Sequence, residues 1–428
     1  MNAKIIRQQY LDQLTLSKDQ NVIKVVTGVR RSGKSTLLEL FQDTLREQGI
    51  ADSQIQSFNF EEEKNVELRD WRKLHHRIEQ KLVPDKMNYI FLDEVQKVAQ
   101  FEEVADSLFV KPNVDLYITG SNAFLLSGEL STLLTGRYIS IHVLPFSFSE
   151  FVQVFPEEHN NDRLFEKYLT SSSFPEAINL AKIDDKLANN YLRNIYDTIV
   201  NKDIAERYQI RGRIDFDRVV KFTFDSIGSP LSARNISNFF KLNNDNIFHG
   251  TIKNYLDYLT KSYLVYPVSR YDIKGRRLLT TNDKYYVVDL GLRNILLGST
   301  PGSDVGHRLE NVVFLELLRR NEGEIFIGKN EDCEVDFMVQ MAGGERVYYQ
   351  VSYQVNDQPK TLARELAPFY KIRDNYPKFL LTMDLVPEQF DGIKKVNVVD
   401  WLLNQQEPAR KLVQWIRPRF AKISTFVL

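Results

Sequence analysis

Cysteine is almost missing from this chain. Cys333 stands alone, so neither an intrachain disulfide nor a cysteine-cluster zinc site is open to it, a usage that fits a reducing compartment. Charge of one sign is missing as well. The 56 Lys and Arg side chains against 57 Asp and Glu leave a formal charge of −1, which excludes a polybasic or polyacidic chain but permits local patches. No run approaches the ~20 apolar residues of a membrane helix, and the opening MNAKIIRQQYLDQL is amphipathic rather than a signal sequence. These absences read as a soluble, cytoplasmic protein with no membrane partner. The six histidines show no HxxxH or HExxH pairing, and neither a GxSxG elbow nor an internal repeat is found. At 428 residues the chain has room for two to four domains.

What is present begins at VVTGVRRSGKSTLLELF, Val25 to Phe41, which fits GxxxxGK[ST] through Gly28, Gly33, Lys34 and Ser35. NVIKVV before it is a short β-branched run, and Leu37, Leu38, Leu40, Phe41 and Leu45 after it recur at helical spacing. Strand, glycine loop and helix in that order form a phosphate cradle. Its backbone N–H groups come from Gly28, Val29, Arg30, Arg31, Ser32, Gly33, Lys34, Ser35 and Thr36, and the helix N-terminus adds partial positive charge. Lys34 is placed to neutralise the β- and γ-phosphates of ATP, and Ser35 to hold Mg²⁺. The strand MNYIFLDEV then ends in Asp93 and Glu94. Asp93 suits the magnesium shell and Glu94 suits activation of the attacking water.

A further strand, VDLYITGSN, ends in Ser121 and Asn122, and RYISIHVLPF begins at Arg137. With SQIQSFNFEEE between the loop helix and the Asp-Glu strand, five strands alternate with helical segments through residue 144, which predicts an α/β fold built on a five-stranded parallel sheet. This series resembles the AAA+ class of ATPases, above all its archaeal-type branch. The resemblance implies a γ-phosphate sensor at Ser121 or Asn122. It also implies an arginine, Arg137, that reaches a neighbouring subunit's site, and hence a homo-oligomer.

The segments LPFSFSEF and SSSFPEAI resemble the start of that family's helical lid. The helix LANNYLRNIYDTIVNKDIAERY follows, with Leu187, Tyr191, Leu192, Ile195, Ile199 and Ile204 on one face, and Lys202, Arg207 or Arg193 offered as a second sensor. From Asp215 to Asp289, three helical runs and a β hairpin suggest a winged helix, with Lys253 and Asn254 on its third helix and Lys274, Arg276 and Arg277 at the hairpin tip facing DNA. Beyond the linker GSTPGSDVG, HRLENVVFLELLRR, CEVDFMV and RVYYQVSYQ resemble a restriction-endonuclease-like core. The whole chain resembles a prokaryotic family that joins an AAA-type ATPase to such a domain. That resemblance implies metal ligands at Glu310, Asp336 and Gln350, with Ser352 standing where the catalytic lysine belongs and Lys329, Lys360 or Lys378 as substitutes. The expected domains are an ATPase core over residues 1–150, a lid over 151–212, a winged helix over 213–297 and a nuclease-like domain, degenerate in its chemistry, over 298–428.

Overall fold

The computed structural model describes residues 4–120, 134, 136–243, 247–298, 304–356 and 358–404, without the side chains at 280 and 281. After helix α1 (Gln8–Ser17) comes a parallel sheet of β1 (Ile23–Thr27), β2 (Ile55–Asn59), β3 (Asn88–Asp93), β4 (Val114–Thr119) and β5 (Tyr138–His142). Its order is β2-β3-β4-β1-β5. The central strands β1 and β3 are buried at every position, which is why they read as near-continuous apolar runs: helices cover both faces. On one face α1 and α2 (Lys34–Glu47) pack Tyr10, Leu14, Leu37 and Phe41 against Val26 and Phe91. On the other, α3 (Trp71–Glu79) and α4 (Phe101–Phe109) pack Leu74, Ile78 and Val104 against Ile90 and Leu92. Lys24, inside the apolar run of β1, is fully buried and reaches the sheet's lower end, where it pairs with Asp115.

Four helices follow: α5 (Phe148–Gln153), α6 (Asn161–Thr170), α7 (Pro175–Ala181) and α8 (Asp185–Thr198). The helix continues through a wider π-helical turn at Ile199–Ala205. The buried stripe is Ala188, Leu192, Ile195 and Ile199, a clean i, i+4, i+7, i+11 series. Leu187 is 47% exposed, because it lies one residue, about 100° of helix rotation, away from that stripe. Its expected place on the buried face is therefore corrected. The SSSFPEAI segment packs tightly: Ser172 and Ser173 donate to buried Asp289, and a Cβ on Gly291 would lie 2.5 Å from that of Ser172.

Next come α9 (Arg213–Asp225), β6 (Pro230–Leu231), α10 (Ala233–Leu242), α11 (His249–Lys261), and the hairpin β7 (Val265–Asp272) and β8 (Arg277–Val287). Helices α12 (Leu290–Leu297) and α13 (Val305–Arg320) lead to β9 (Glu324–Asn330), β10 (Cys333–Gln340) and β11 (Arg346–Val351). Helix α14 (Pro359–Lys371), strands β12 (Lys378–Thr382), β13 (Glu388–Phe390) and β14 (Ile393–Asn397), and α15 (Val398–Leu403) complete the described chain. The strands join into one nine-stranded sheet of order β13-β14-β12-β11-β10-β9-β7-β8-β6. Its junction is the parallel pairing of β7 with β9, Arg270 opposite Ile327 and Tyr271 opposite Gly328. Residue 298, the boundary read from composition, is thus bridged by a continuous sheet.

Candidate functional site

The loop after β1 is shaped by two glycines. Gly28 has φ 144°, and a Cβ there would sit 2.1 Å from the Val143 carbonyl oxygen. Gly33 has φ 93° at the start of α2. Both positions favour glycine for conformational reasons, and Gly28 for space as well. Between them Val29 is fully buried and belongs to the core that runs through helices α5 to α8.

Lys34 is buried, and its Nζ donates to the carbonyls of Gly28 (3.0 Å) and Val29 (3.2 Å). Burial pushes its pKa down, against the pull of Glu94 and Asp93. Ser32 is fully buried with no partner for its hydroxyl. An incompletely compensated ammonium and an orphaned hydroxyl in one backbone loop suit a polyanion. Ser35 is half-buried and Thr36 exposed at the first turn of α2.

Across from the loop, Asp93 is buried at the end of β3, and Thr119, at the end of β4, donates to its carboxylate. The same Thr119 oxygen accepts from the Glu94 N–H at 3.0 Å. Glu94 takes φ 58°, so the chain turns sharply and the two adjacent acids point differently. Its carboxylate accepts from Gln96. Ser121 and Asn122 lie outside the described residues. Arg137 sits at the opposite end of the sheet: its carbonyl accepts from the Ile23 N–H at the start of β1, and its side chain, 45% exposed, pairs with Asp106 at 2.7 Å. It cannot face its own chain's loop.

Tertiary contacts add residues that carry no motif. Arg7 is buried ahead of α1 and donates to the Ser32 carbonyl (2.9 Å), the Leu144 carbonyl (2.8 Å) and both oxygens of Glu150 (3.0 Å each). Burial raises the Glu150 pKa, and Arg7 outweighs it, so the net shift is downward. One guanidinium thus holds the loop, the chain after β5 and helix α5 together. From the other side, Arg30 makes a two-pronged pair with Asp203 (2.8 and 3.2 Å) in the π-helical turn. The π-helical turn therefore presents an acid to the loop, while Lys202, offered as a second sensor, is exposed.

A third connection leaves the base of the loop. His142, at the end of β5, lies 3.3 Å from the Thr27 hydroxyl and 2.9 Å from the Tyr266 hydroxyl, and its ring is 4.1 Å from that of Tyr263. Tyr263 donates to Thr27 at 3.4 Å and holds φ 57°, an uncommon conformation for a bulky side chain. Burial first, then Lys34 and Arg319, push the His142 pKa down to about 3. The only sequence signal for this link was the cluster of aromatics at the start of the hairpin.

In the C-terminal layer, Glu310 on α13, Asp336 on β10 and Gln350 on β11 do come together. Val351 N–H donates to Asp336 (2.9 Å), and Asp336 N–H donates to the Gln350 side-chain oxygen (3.3 Å). Glu310 and Asp336 share a neighbour in Lys284 of β8, 3.1 Å from Glu310, 3.0 Å from Glu334 and 3.8 Å from Asp336. Lys284 was not among the lysines considered from the sequence, since it lies outside the segment that resembles a nuclease core. Among the described residues, no three His, Cys, Asp or Glu side chains are arranged to hold a metal ion, and no helix is long and apolar enough to cross a membrane.

Comparison with known proteins bears on this architecture. The AAA domain family matches residues 20–152, and a domain family of unknown function matches 162–303. Among solved structures, the chain is similar to a Walker-type ATPase of Pyrococcus abyssi, at 16% identity and TM-score 0.43 over 68% of this chain and 96% of that one. It is also similar to the Orc1 protein of Aeropyrum pernix, solved in complex with DNA, at 14% identity and TM-score 0.29 over 69% and 93%. An uncharacterized protein of Methanocaldococcus jannaschii is 28% identical over 89% of this chain and 85% of its own length. One of Haemophilus influenzae is 38% identical over 94% of this chain and 99% of its own length. Residues 20–152 thus form an AAA-type domain, and the chain belongs to the same family as the Haemophilus influenzae protein.

Proposed function

We propose that the chain is an Mg²⁺-dependent ATPase whose nucleotide state repositions a winged helix and a nuclease-like C-terminal layer on DNA. The observation that carries the reading is the connection of the loop to the hairpin through Thr27, His142, Tyr263 and Tyr266. A shift at the end of β1 is felt at the start of β7 through packed, hydrogen-bonded side chains.

In this reading Lys34 offsets phosphate charge, and the N–H groups of residues 28–36 line the loop. Ser35 and Asp93, the latter oriented by Thr119, hold the metal. Mg²⁺ supplies charge neutralisation and templating of the phosphates. Glu94, set apart from Asp93 by its left-handed backbone, orients and deprotonates water. Ser121 or Asn122 is the sensor. The order helix, strand, two helices, hairpin over residues 213–287, with β6 closing against β8, supports the winged helix. Lys253 and Asn254 are exposed on α11. At the hairpin tip Lys274 pairs with Glu331 at 2.8 Å, so DNA contact there competes with an internal partner. The test is ATPase rate and gel shift with duplex DNA at low salt, where phosphate contacts are strongest. Stimulation by DNA that Tyr263→Ala removes is expected, and absence of any DNA binding sinks the DNA part.

A second reading, a nucleotide-regulated oligomeric switch, is favoured by one observation: Arg137 is half-exposed at the far end of the sheet. In this reading it leaves Asp106, its partner within the chain, to reach a neighbour's site. Mixtures of Arg137→Ala and Glu94→Gln subunits are expected to recover activity that neither has alone. Full activity of Arg137→Ala by itself overturns this reading.

A further inference from the structure

The resemblance to a nuclease core implies a divalent metal among Glu310, Asp336 and Gln350, and the side chains do not fit one. The Lys284 Nζ lies 3.1 Å from Glu310, 3.0 Å from Glu334 and 3.8 Å from Asp336, on a side chain only 6% exposed. One oxygen of each carboxylate therefore already faces the same ammonium. Glu310 Oε1 accepts from Tyr286 as well, at 2.6 Å. Its other oxygen faces Gly228, where an added Cβ would come within 3.0 Å. Gln350 is held in place by protein partners, its oxygen accepting from Asp336 N–H at 3.3 Å while its amide donates to Glu365 at 2.9 Å. A hard cation of this kind demands six or more oxygens and room for water, and here the Lys284 ammonium already occupies the space between the carboxylates.

We infer that the Lys284 ammonium is the resident cation of this acid cluster, and that the cluster bolts the hairpin to the C-terminal layer instead of collecting a divalent metal. Lys284 sits on β8, whereas Glu310, Glu334 and Asp336 come from α13 and β10, so the pairing crosses the junction at which β7 meets β9. Arg270, within that junction on β7, adds a second cation 3.4 Å from Glu334. The C-terminal layer then performs no metal-dependent hydrolysis. It moves with the hairpin as one body, because removing either side of a buried ion cluster leaves uncompensated charge behind.

The experiment uses the nucleotide-free full chain with Mn²⁺ as probe, read by the loss of free-Mn²⁺ electron spin resonance and by thermal melting. Wild type and Asp336→Asn are expected to take up Mn²⁺ alike, which removes any contribution of the ATPase loop from the comparison. Lys284→Met keeps the stem and removes the charge. It is expected to melt below wild type and to regain stability with Mn²⁺, and Lys284→Met/Asp336→Asn to melt low without that recovery. Mn²⁺ uptake by wild type that Asp336→Asn abolishes overturns the inference even if Lys284→Met does not fold. So does Mn²⁺-dependent plasmid cleavage by wild type that Asp336→Asn abolishes, and so does a Lys284→Met protein as stable as wild type without metal.

Discussion

Two buried lysines separate the two halves of this molecule. Lys34, in the parallel-sheet domain, has two backbone carbonyls as hydrogen-bond partners, and burial pushes its pKa down. Lys284, in the nine-stranded layer, is equally removed from water, but the pull of Glu310, Asp336 and Glu334 exceeds the effect of burial and holds its pKa up. The first lysine is a charge short of a partner, and the second has its partners already. The residue type is the same in both places. What distinguishes a ligand-binding lysine from a structural one is whether the fold supplies the anions.

The contrast can be broken by removing each charge in turn. Lys34→Met is expected to reduce ATP turnover below detection in a coupled phosphate-release assay while melting no lower than wild type, because an undercompensated buried charge leaves with it. A large loss of stability there would erase the difference from Lys284. Glu94→Gln is expected to keep nucleotide binding and to lower turnover by about 10²–10⁴-fold, the usual worth of a positioned general base. Fluorescent-nucleotide titration beside steady-state kinetics separates the two effects.

Arg7→Ala breaks a buried pair and is expected to lower stability by about 3–5 kcal/mol in denaturant titration. Arg7→Lys keeps the charge without the planar fork. It is expected to restore most of that stability while leaving the KM for ATP raised, as a residue that positions the loop requires. The smallest effect concerns pH. His142 titrates near 6.5 when unfolded and at about 3 when folded, so on acidification the unfolded chain binds the proton first. Stability from this residue is complete above pH 6.5 and falls as pH drops toward 3, by about 2 kcal/mol at pH 5. His142→Asn is expected to flatten the melting temperature between pH 6.5 and 5, and an unchanged slope there removes His142 as its cause.

The parallel sheet and its loop were legible because their chemistry is local. A phosphate cradle uses consecutive N–H groups, so its glycines and lysine fall at fixed spacing, and strands covered on both faces announce themselves as apolar runs. In the C-terminal layer the pattern named Glu310, Asp336 and Gln350 and missed Lys284, which is 26 residues upstream of Glu310 and belongs to a hairpin read as another domain. The boundary at 298 followed composition, and a strand pairing made by backbone groups leaves no compositional trace. The misplaced Leu187 has a similar origin, since a run dense in apolar residues allows two neighbouring helix faces and only packing chooses between them.

By itself, then, the sequence determined an AAA-type domain, through a motif whose residues lie side by side along the chain. Tertiary structure decided what surrounds it: Arg7 is 143 residues from Glu150, Arg30 is 173 from Asp203, and Thr27 is 236 from Tyr263. Charge compensation depends on distance through space. Folding alone brings those groups within 3.5 Å, and folding alone gives Lys284 its carboxylates while leaving Lys34 without an anion.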